Sequence, residues 1–178
     1  MIIVERKTSE TNIRVEMAVG RGTADSRTGV PFLDHMMTAL ARYSGLDLTI
    51  VASGDLRHHL IEDVALTVGE ALRQLLPATC ARYGEQTVPM DEALVQAVLD
   101  AGGRPYYRGP IPSSLYEHWM RSFCDASKVT LHLRVLRGSD RHHIVEAAFK
   151  ALGFALRQAL IDTGTVFSTK GAVTLGDA

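Results

Sequence analysis

The sequence has few of the features that mark secreted, membrane or nucleic-acid-binding proteins. Its two cysteines, Cys80 and Cys124, are too few for a disulfide framework and fit a reducing compartment. The 19 Lys and Arg residues nearly balance 20 Asp and Glu residues, so no basic field predicts nucleic-acid or anionic-membrane binding. No apolar run is long enough to span a bilayer, and charged residues near the N-terminus argue against a signal peptide. We therefore expect a cytoplasmic protein with no nucleic-acid or membrane partner.

Two pairs of adjacent histidines belong to an internal repeat. The segments Arg-His-His-Leu-Ile-Glu (57–62) and Arg-His-His-Ile-Val-Glu (141–146) match at a separation of 84 residues. At the same separation, residues 71–76 match residues 155–160, and upstream Asp34-His35 matches Glu117-His118 at a separation of 83. No linker rich in Pro, Gly or Ser divides the 178 residues. We expect two repeat halves, 1–86 and 87–178, packed as one pseudo-symmetric unit.

Apolar periodicity predicts the same order of elements in both halves. Alternation predicts strands, and spacing of three to four residues predicts amphipathic helices. In the first half the strands are Ile13–Val19 and Leu46–Val51, and the helices begin at Pro31 and near His59, with residues 20–22 and 26–29 as loops. In the second half we expect strands at Leu94–Leu99 and Val129–Val135 and helices over 113–127 and 143–161. Each half is then strand, strand, helix, strand, helix, which indicates an α+β fold.

Each His-His-x-x-Glu motif predicts metal ligands on one face of a helix. Positions i and i+4 lie on the same face, so a histidine and a glutamate from each motif can bind one ion. The neighbouring His59 and His143 point about 100° away around the helix, toward another ion or toward a surface formed by another subunit. Imidazole and carboxylate ligands suit Mn, Fe, Co, Ni or Zn. A single such pair is usually a solvated helix face, whereas its duplication favours a metal site.

A series of motifs along the chain resembles imidazoleglycerol-phosphate dehydratase. In order they are Glu5-Arg-Lys-Thr-Ser-Glu-Thr, the segment 29–36 ending in Asp34-His35-Met36, both His-His-x-x-Glu motifs, Pro89-Met-Asp-Glu-Ala-Leu, Gly103-Arg-Pro-Tyr, Glu117-His118 and Ser168-Thr-Lys-Gly. The resemblance covers essentially the whole chain. It implies a duplicated, ribosomal-protein-S5-domain-2-like α+β fold and a homo-oligomer of 24 chains with two Mn²⁺ ions per active site.

The activity implied by this resemblance is a lyase reaction of histidine biosynthesis. D-erythro-imidazole glycerol phosphate would lose water to give imidazole acetol phosphate, with its ring held as an imidazolate between the two ions. By resemblance Glu10 would be the acid/base. One ion would be held by His35, His59, His142 and Glu146, and the other by His58, Glu62, His118 and His143. The substrate phosphate would be bound by Arg82, Arg104, Lys150, Ser168 and Lys170. Thr169 and Tyr43 would also contact the substrate.

Two departures from the family pattern leave other functions open. Tyr43 stands where the family usually has a substrate-contacting histidine, and the loop before the first histidine pair is reduced to Asp55-Leu-Arg. We expect Tyr43 to act as a neutral substrate contact, because a phenol has a reference pKa of about 10. The alternatives are a metal-binding cage with weakened catalysis and a binuclear metallohydrolase that uses metal-bound water.

Overall fold

The computed structural model describes residues 1–168, and these form two four-stranded sheets and four helices. The first half contains β1 (Ile2–Lys7), β2 (Thr11–Val19), β3 (Ala24–Arg27), α1 (Pro31–Ser44), β4 (Leu46–Gly54) and α2 (Arg57–Leu75). The second half contains β5 (Tyr83–Met90), β6 (Ala93–Asp100), β7 (Tyr106–Arg108), α3 (Ser114–Ser127), β8 (Thr130–Arg137) and α4 (Arg141–Ala159). The predicted α+β fold with an internal duplication is confirmed.

The two sheets have the same topology. Their strand orders are β1-β2-β4-β3 and β5-β6-β8-β7, each with two antiparallel pairs and one parallel pair at the β3 or β7 edge. The parallel edge strands were not predicted, and Ser26 and Arg27, which we assigned to a loop, belong to β3. These strands have four and three residues, too few to show a clear apolar alternation. The division after residue 86 stays a prediction; in the structure residue 86 lies inside β5.

The sheets form the outer layers and the helices the inner ones. Helices α1 and α2 cover one face of the first sheet, and α3 and α4 cover one face of the second. The helical layers then meet face to face, with α1 packed against α4 and α2 packed against α3. Each helix pair therefore joins the two halves, and one continuous apolar core results, with Trp119, Phe123 and Phe149 among its fully buried side chains.

Equivalent glycines allow the helices of opposite halves to approach closely. Gly69 in α2 and Gly153 in α4 are 84 residues apart, the same separation as the histidine motifs. A Cβ atom on Gly69 would lie 2.7 Å from the Phe123 carbonyl oxygen and 2.8 Å from the Ala126 Cβ in α3. A Cβ atom on Gly153 would lie 2.8 Å from the Tyr43 Cβ in α1. Both positions lack space for any side chain.

We predict that Gly69→Ala destabilises the protein, although alanine has the higher helix propensity by about 1 kcal/mol. The added methyl group would force α2 and α3 apart, and overpacking of this kind costs about 1–3 kcal/mol. Denaturant unfolding followed by circular dichroism measures the change. The exposed Gln74→Ala substitution in the same helix is the control and should stay within about 0.5 kcal/mol of wild type. A Gly69→Ala protein as stable as this control would contradict the close packing.

Candidate metal centres

The packing of α1 against α4 brings three potential metal ligands together. His35 of α1 meets His142 and Glu146 of α4, and we call these residues the α1–α4 cluster. The Nε2 atoms of His35 and His142 each lie 3.1 Å from the Oε2 atom of Glu146. All three potential ligand atoms lie within 4.8 Å of one another.

A second cluster lies where α2 packs against α3. It consists of His58 and Glu62 of α2 with His118 of α3, and we call it the α2–α3 cluster. The Oε2 atom of Glu62 lies 3.7 Å from the Nε2 atom of His58 and 3.2 Å from that of His118. The two imidazole rings stack with their centroids 5.0 Å apart. The two clusters are related by the internal repeat, since His35 corresponds to His118 and the His–Glu pairs correspond to each other.

The electrostatic environments of the two glutamates differ. Glu146 is 5% exposed, and its Oε1 atom accepts an ion pair from Lys150 at 2.8 Å. Burial raises the pKa of Glu146, but hydrogen bonds from Lys150 and His35 outweigh it, so the pKa lies below its usual value. The position equivalent to Lys150 in the first half is Leu66, and the side chain of Glu62 is 36% exposed. Among residues 1–168, Glu146 thus has a lysine partner, whereas Glu62 has only its two histidines.

The geometry of both clusters fits a divalent metal ion. Nitrogen and oxygen ligands bind such ions at about 2.0–2.2 Å, which places neighbouring ligand atoms about 3–4 Å apart. The distances from the histidine Nε2 atoms to the glutamate Oε2 atoms, 3.1–3.7 Å, lie in this range. The buried Nε2 atom of His118 also makes no hydrogen bond to any residue within 1–168, although the Glu62 carboxylate is close. A buried nitrogen without such a partner is suited to coordinating a cation.

The second histidine of each pair lies outside both clusters, as the helical geometry predicted. The Nδ1 atom of His59 lies 3.0 Å from Asp55 and 3.5 Å from Glu10. The Nδ1 atom of His143 lies 2.7 Å from Glu92. The hydrogen bond to Asp55 raises the pKa of His59, and the hydrogen bond to Glu92 raises the pKa of His143. Three of the four ligands expected for each ion therefore meet within one chain, and the fourth stays a prediction.

Glu10, the expected acid/base, lies in the turn between β1 and β2. Its backbone N–H donates a hydrogen bond to the Thr8 hydroxyl at 3.1 Å, and its side chain is 51% exposed beside His59. Among residues 1–168, its carboxylate accepts no hydrogen bond, and its contact with His59 is 3.5 Å long. The structure therefore brings Glu10 to the second histidine of the first pair.

Three of the residues expected to bind phosphate line one cavity. Arg82, Arg104 and Ser168 surround a space of about 710 Å³ near the start of β5. Arg82 is oriented by two hydrogen bonds to Asp100, at 2.6 and 2.9 Å, and this interaction lowers the pKa of the Asp100 carboxyl. Thr169 and Lys170 lie outside the described residues.

Lys150 and Tyr43 are located at the α1–α4 cluster instead of this cavity. Besides its ion pair with Glu146, the Lys150 ammonium lies 5.6 Å from the centroid of the Tyr43 ring. Phe154 also contacts the Tyr43 ring edge-on, with the centroids 4.9 Å apart. Tyr43 is therefore connected to the cluster through Lys150.

Sequence reasoning missed three carboxylates that orient the histidine motifs. Asp140 caps α4 by accepting hydrogen bonds from the backbone N–H groups of His142 at 2.7 Å and His143 at 3.2 Å. An aspartate just before a helical motif is a recognised N-cap signal, so this residue was predictable. Asp55 also precedes its helix, but it binds the His59 ring instead of the backbone amides of the first turn. The contact between Glu92 and His143 spans 51 residues, and no local pattern predicts it.

Comparison with known proteins identifies the family. A sequence model of imidazoleglycerol-phosphate dehydratase matches residues 28–156, a range that includes both histidine motifs. The chain belongs to the imidazoleglycerol-phosphate dehydratase family. It is 46% identical over 197 residues to the imidazoleglycerol-phosphate dehydratase of Salinispora tropica, with 96% of this chain and 97% of that protein covered. It is also 47% identical over 188 residues to the histidine biosynthesis bifunctional protein HisB of Stenotrophomonas maltophilia, with 96% of this chain and 52% of that protein covered.

Solved imidazoleglycerol-phosphate dehydratases share the fold. The enzyme from Pyrococcus furiosus aligns with a TM-score of 0.88 at 42% identity, covering 96% of this chain and all of that one. The enzyme from Staphylococcus aureus aligns with a TM-score of 0.80 at 33% identity, covering 92% of this chain and all of that one. This imidazoleglycerol-phosphate dehydratase family member is thus an enzyme, a dehydratase of histidine biosynthesis. None of the helices described within residues 1–168 has the length and apolar character needed to cross a membrane.

Proposed function

We propose that this cytoplasmic enzyme dehydrates D-erythro-imidazole glycerol phosphate to imidazole acetol phosphate, with two Mn²⁺ ions per active site. The observation that carries the proposal is the pair of equivalent clusters in which helices from opposite halves each assemble two imidazoles and one carboxylate. His35, His142 and Glu146 would hold one ion with His59, and His58, Glu62 and His118 would hold the other with His143. Bound there, manganese would supply the Lewis acidity that favours deprotonation of the substrate imidazole.

Glu10 is suited to move the proton that the dehydration requires. Its carboxylate is half exposed and is not committed to a hydrogen bond within the described part of the chain, so it remains available to a substrate. Positioned carboxylates serve as general acids and bases when they lie within reach of the reacting carbon. Its place beside His59 would bring it to any ion that His59 helps to hold. We therefore assign Glu10 as the acid/base.

The phosphate would bind in the cavity of Arg82, Arg104 and Ser168, together with Thr169 and Lys170. Arginine recognises phosphate through paired hydrogen bonds, and the Asp100 contact holds the Arg82 guanidinium in a defined orientation. Lys150 and Tyr43 would contact the substrate near the α1–α4 cluster. The Tyr43 phenol would contribute a neutral donor and acceptor in place of the histidine usual in the family.

An active site built from one chain would be too extended for this substrate, which supports assembly. Glu146 lies in the second turn of α4, and the backbone of Ala159, at the end of α4, accepts a hydrogen bond from the N–H of Arg82. Glu146 and Ala159 are 13 positions apart, which corresponds to about 20 Å along a helix. A glycerol chain does not reach that far, so the metal ligands and the phosphate cavity would have to come from different copies. We propose the homo-oligomer of 24 chains that the family resemblance implies.

We predict that Glu10→Gln lowers the rate of catalysis. The substitution keeps the shape of the side chain but removes its basicity, so kcat should fall by about 10²- to 10⁴-fold. Manganese content should stay unchanged, because Glu10 is not a proposed ligand. The measurement is product formation from D-erythro-imidazole glycerol phosphate by manganese-loaded protein, with the metal content determined in parallel.

Glu5→Gln is the matched control, because Glu5 is an exposed glutamate of β1 that pairs with Arg14. It should retain wild-type turnover. Full activity in Glu10→Gln would refute the assignment of the acid/base. A wild-type protein that holds manganese but forms no product would refute the proposed reaction and favour a catalytically weakened cage.

We also predict that metal binding and assembly are linked. An ion whose ligands come from different copies stabilises the assembled form over its parts. Chelation should therefore yield smaller particles in sedimentation velocity, and added Mn²⁺ should restore the large one. Addition of Mg²⁺ at the same concentration is the control and should restore less, because imidazole ligands suit manganese better than magnesium. An unchanged sedimentation profile after verified metal removal would contradict shared ligands.

A further inference from the structure

The second histidine of each motif is held by a carboxylate at its Nδ1 atom. Asp55 binds His59 at 3.0 Å, and Glu92 binds His143 at 2.7 Å. Both contacts are short enough for hydrogen bonds, and neither involves Nε2. Carboxylate oxygens accept hydrogen bonds, so in this geometry each imidazole donates its proton from Nδ1.

This arrangement determines which ring nitrogen is available to a metal. A neutral imidazole with its proton on Nδ1 has its lone pair on Nε2. Carboxylates that hold the non-coordinating nitrogen of a histidine fix its orientation and increase its basicity as a ligand. The contacts of Asp55 and Glu92 thus leave the Nε2 atoms of His59 and His143 available as ligands. These two histidines belong to neither cluster of their own chain.

The two halves hold the Nδ1 atom of the second histidine with carboxylates from different places in the repeat. Glu92 lies in the β5–β6 turn directly before β6, and Glu10 lies directly before β2 in the equivalent β1–β2 turn. Glu92 is fully engaged, because it also accepts hydrogen bonds from the backbone N–H groups of Ser139 at 3.1 Å and Asp140 at 2.7 Å. Its counterpart Glu10 stays 3.5 Å from His59, while Asp55 occupies the closer position.

We propose that Asp55 and Glu92 are positioning residues for His59 and His143, and that Asp55 thereby leaves Glu10 free for proton transfer. This inference rests on the proposed function, because it presumes that His59 and His143 bind metal. It also explains a difference between the repeats. The equivalent turn glutamates have different tasks because Asp55, before α2, contacts the His59 ring, whereas Asp140, before α4, caps its helix.

The first test is a Mn²⁺ titration of the metal-free protein. Asp55→Ala should weaken manganese binding about 10- to 100-fold, the range found when such supporting groups are removed. Asp55→Asn should recover most of this loss, because its amide oxygen still accepts the Nδ1 proton. The same comparison applies to Glu92→Ala and Glu92→Gln. Asp125→Ala, at an exposed carboxylate of α3, is the control and should bind Mn²⁺ as wild type does. Circular dichroism verifies that each variant is folded.

The second test is a double-mutant cycle of Glu10 and Asp55. A merely structural role of Asp55 would not produce the non-additive effect on Mn²⁺ affinity that we expect. In the wild-type background Glu10→Gln should leave Mn²⁺ affinity unchanged. In the Asp55→Ala background Glu10 is the remaining carboxylate near His59, so Glu10→Gln should weaken binding further. Asp55→Ala should also lower kcat at saturating Mn²⁺, because Glu10 is then drawn to His59.

The outcomes separate this inference from the proposed function. Wild-type Mn²⁺ affinity in folded Asp55→Ala and Glu92→Ala would overturn the positioning roles while the dehydratase assignment stands. Additive effects of Glu10→Gln and Asp55→Ala on Mn²⁺ affinity would refute the proposal that Asp55 keeps Glu10 free of His59. Failure of the wild-type protein to bind Mn²⁺ would refute the proposed function itself, and this inference with it.

Discussion

The packing of helices from opposite halves is the constraint on which the two clusters of potential metal ligands depend. Within residues 1–168 neither half contains a cluster by itself, because His35 comes from α1 and its partners from α4, while His118 comes from α3 and its partners from α2. Close approach at Gly69 and Gly153 keeps the crossing helices near enough for these side chains to meet. The duplication thus provides two equivalent sites from one packing geometry, and both depend on the same apolar core.

Sequence patterns predicted the parts of the fold that have local periodicity. The repeat, the four helices and the i,i+4 His–Glu pairs follow from spacing alone, and the 100° offset of His59 and His143 followed from helix geometry. The short edge strands β3 and β7 have no such pattern. They are held in an extended conformation by pairing with β4 and β8. The contact of Glu92 with His143 likewise arises from tertiary structure and was not predictable from spacing. The assignment of four ligands to each ion came from the family resemblance. Within the described residues, three of the four ligands assigned to each ion lie together.

The two halves differ in the charged and polar side chains that surround their equivalent histidine motifs. Lys150 neutralises the buried Glu146, whereas the equivalent Leu66 leaves Glu62 without such a partner. Asp55 lies in the shortened loop before α2 and still contacts His59, so the loss of loop residues relative to the family leaves this histidine oriented. Tyr43, the other departure from the family pattern, retains a polar group beside Lys150. These features favour an active enzyme over a cage that has lost catalysis.

The central claim is that helices from opposite halves form two equivalent metal sites in each chain. Anomalous diffraction at the manganese absorption edge, from crystals of the manganese-loaded protein, tests it most directly. The account predicts two peaks per chain, one among His35, His142 and Glu146 and one among His58, Glu62 and His118, each completed by a histidine of a neighbouring copy. A single peak per chain, or peaks remote from these side chains, would contradict it.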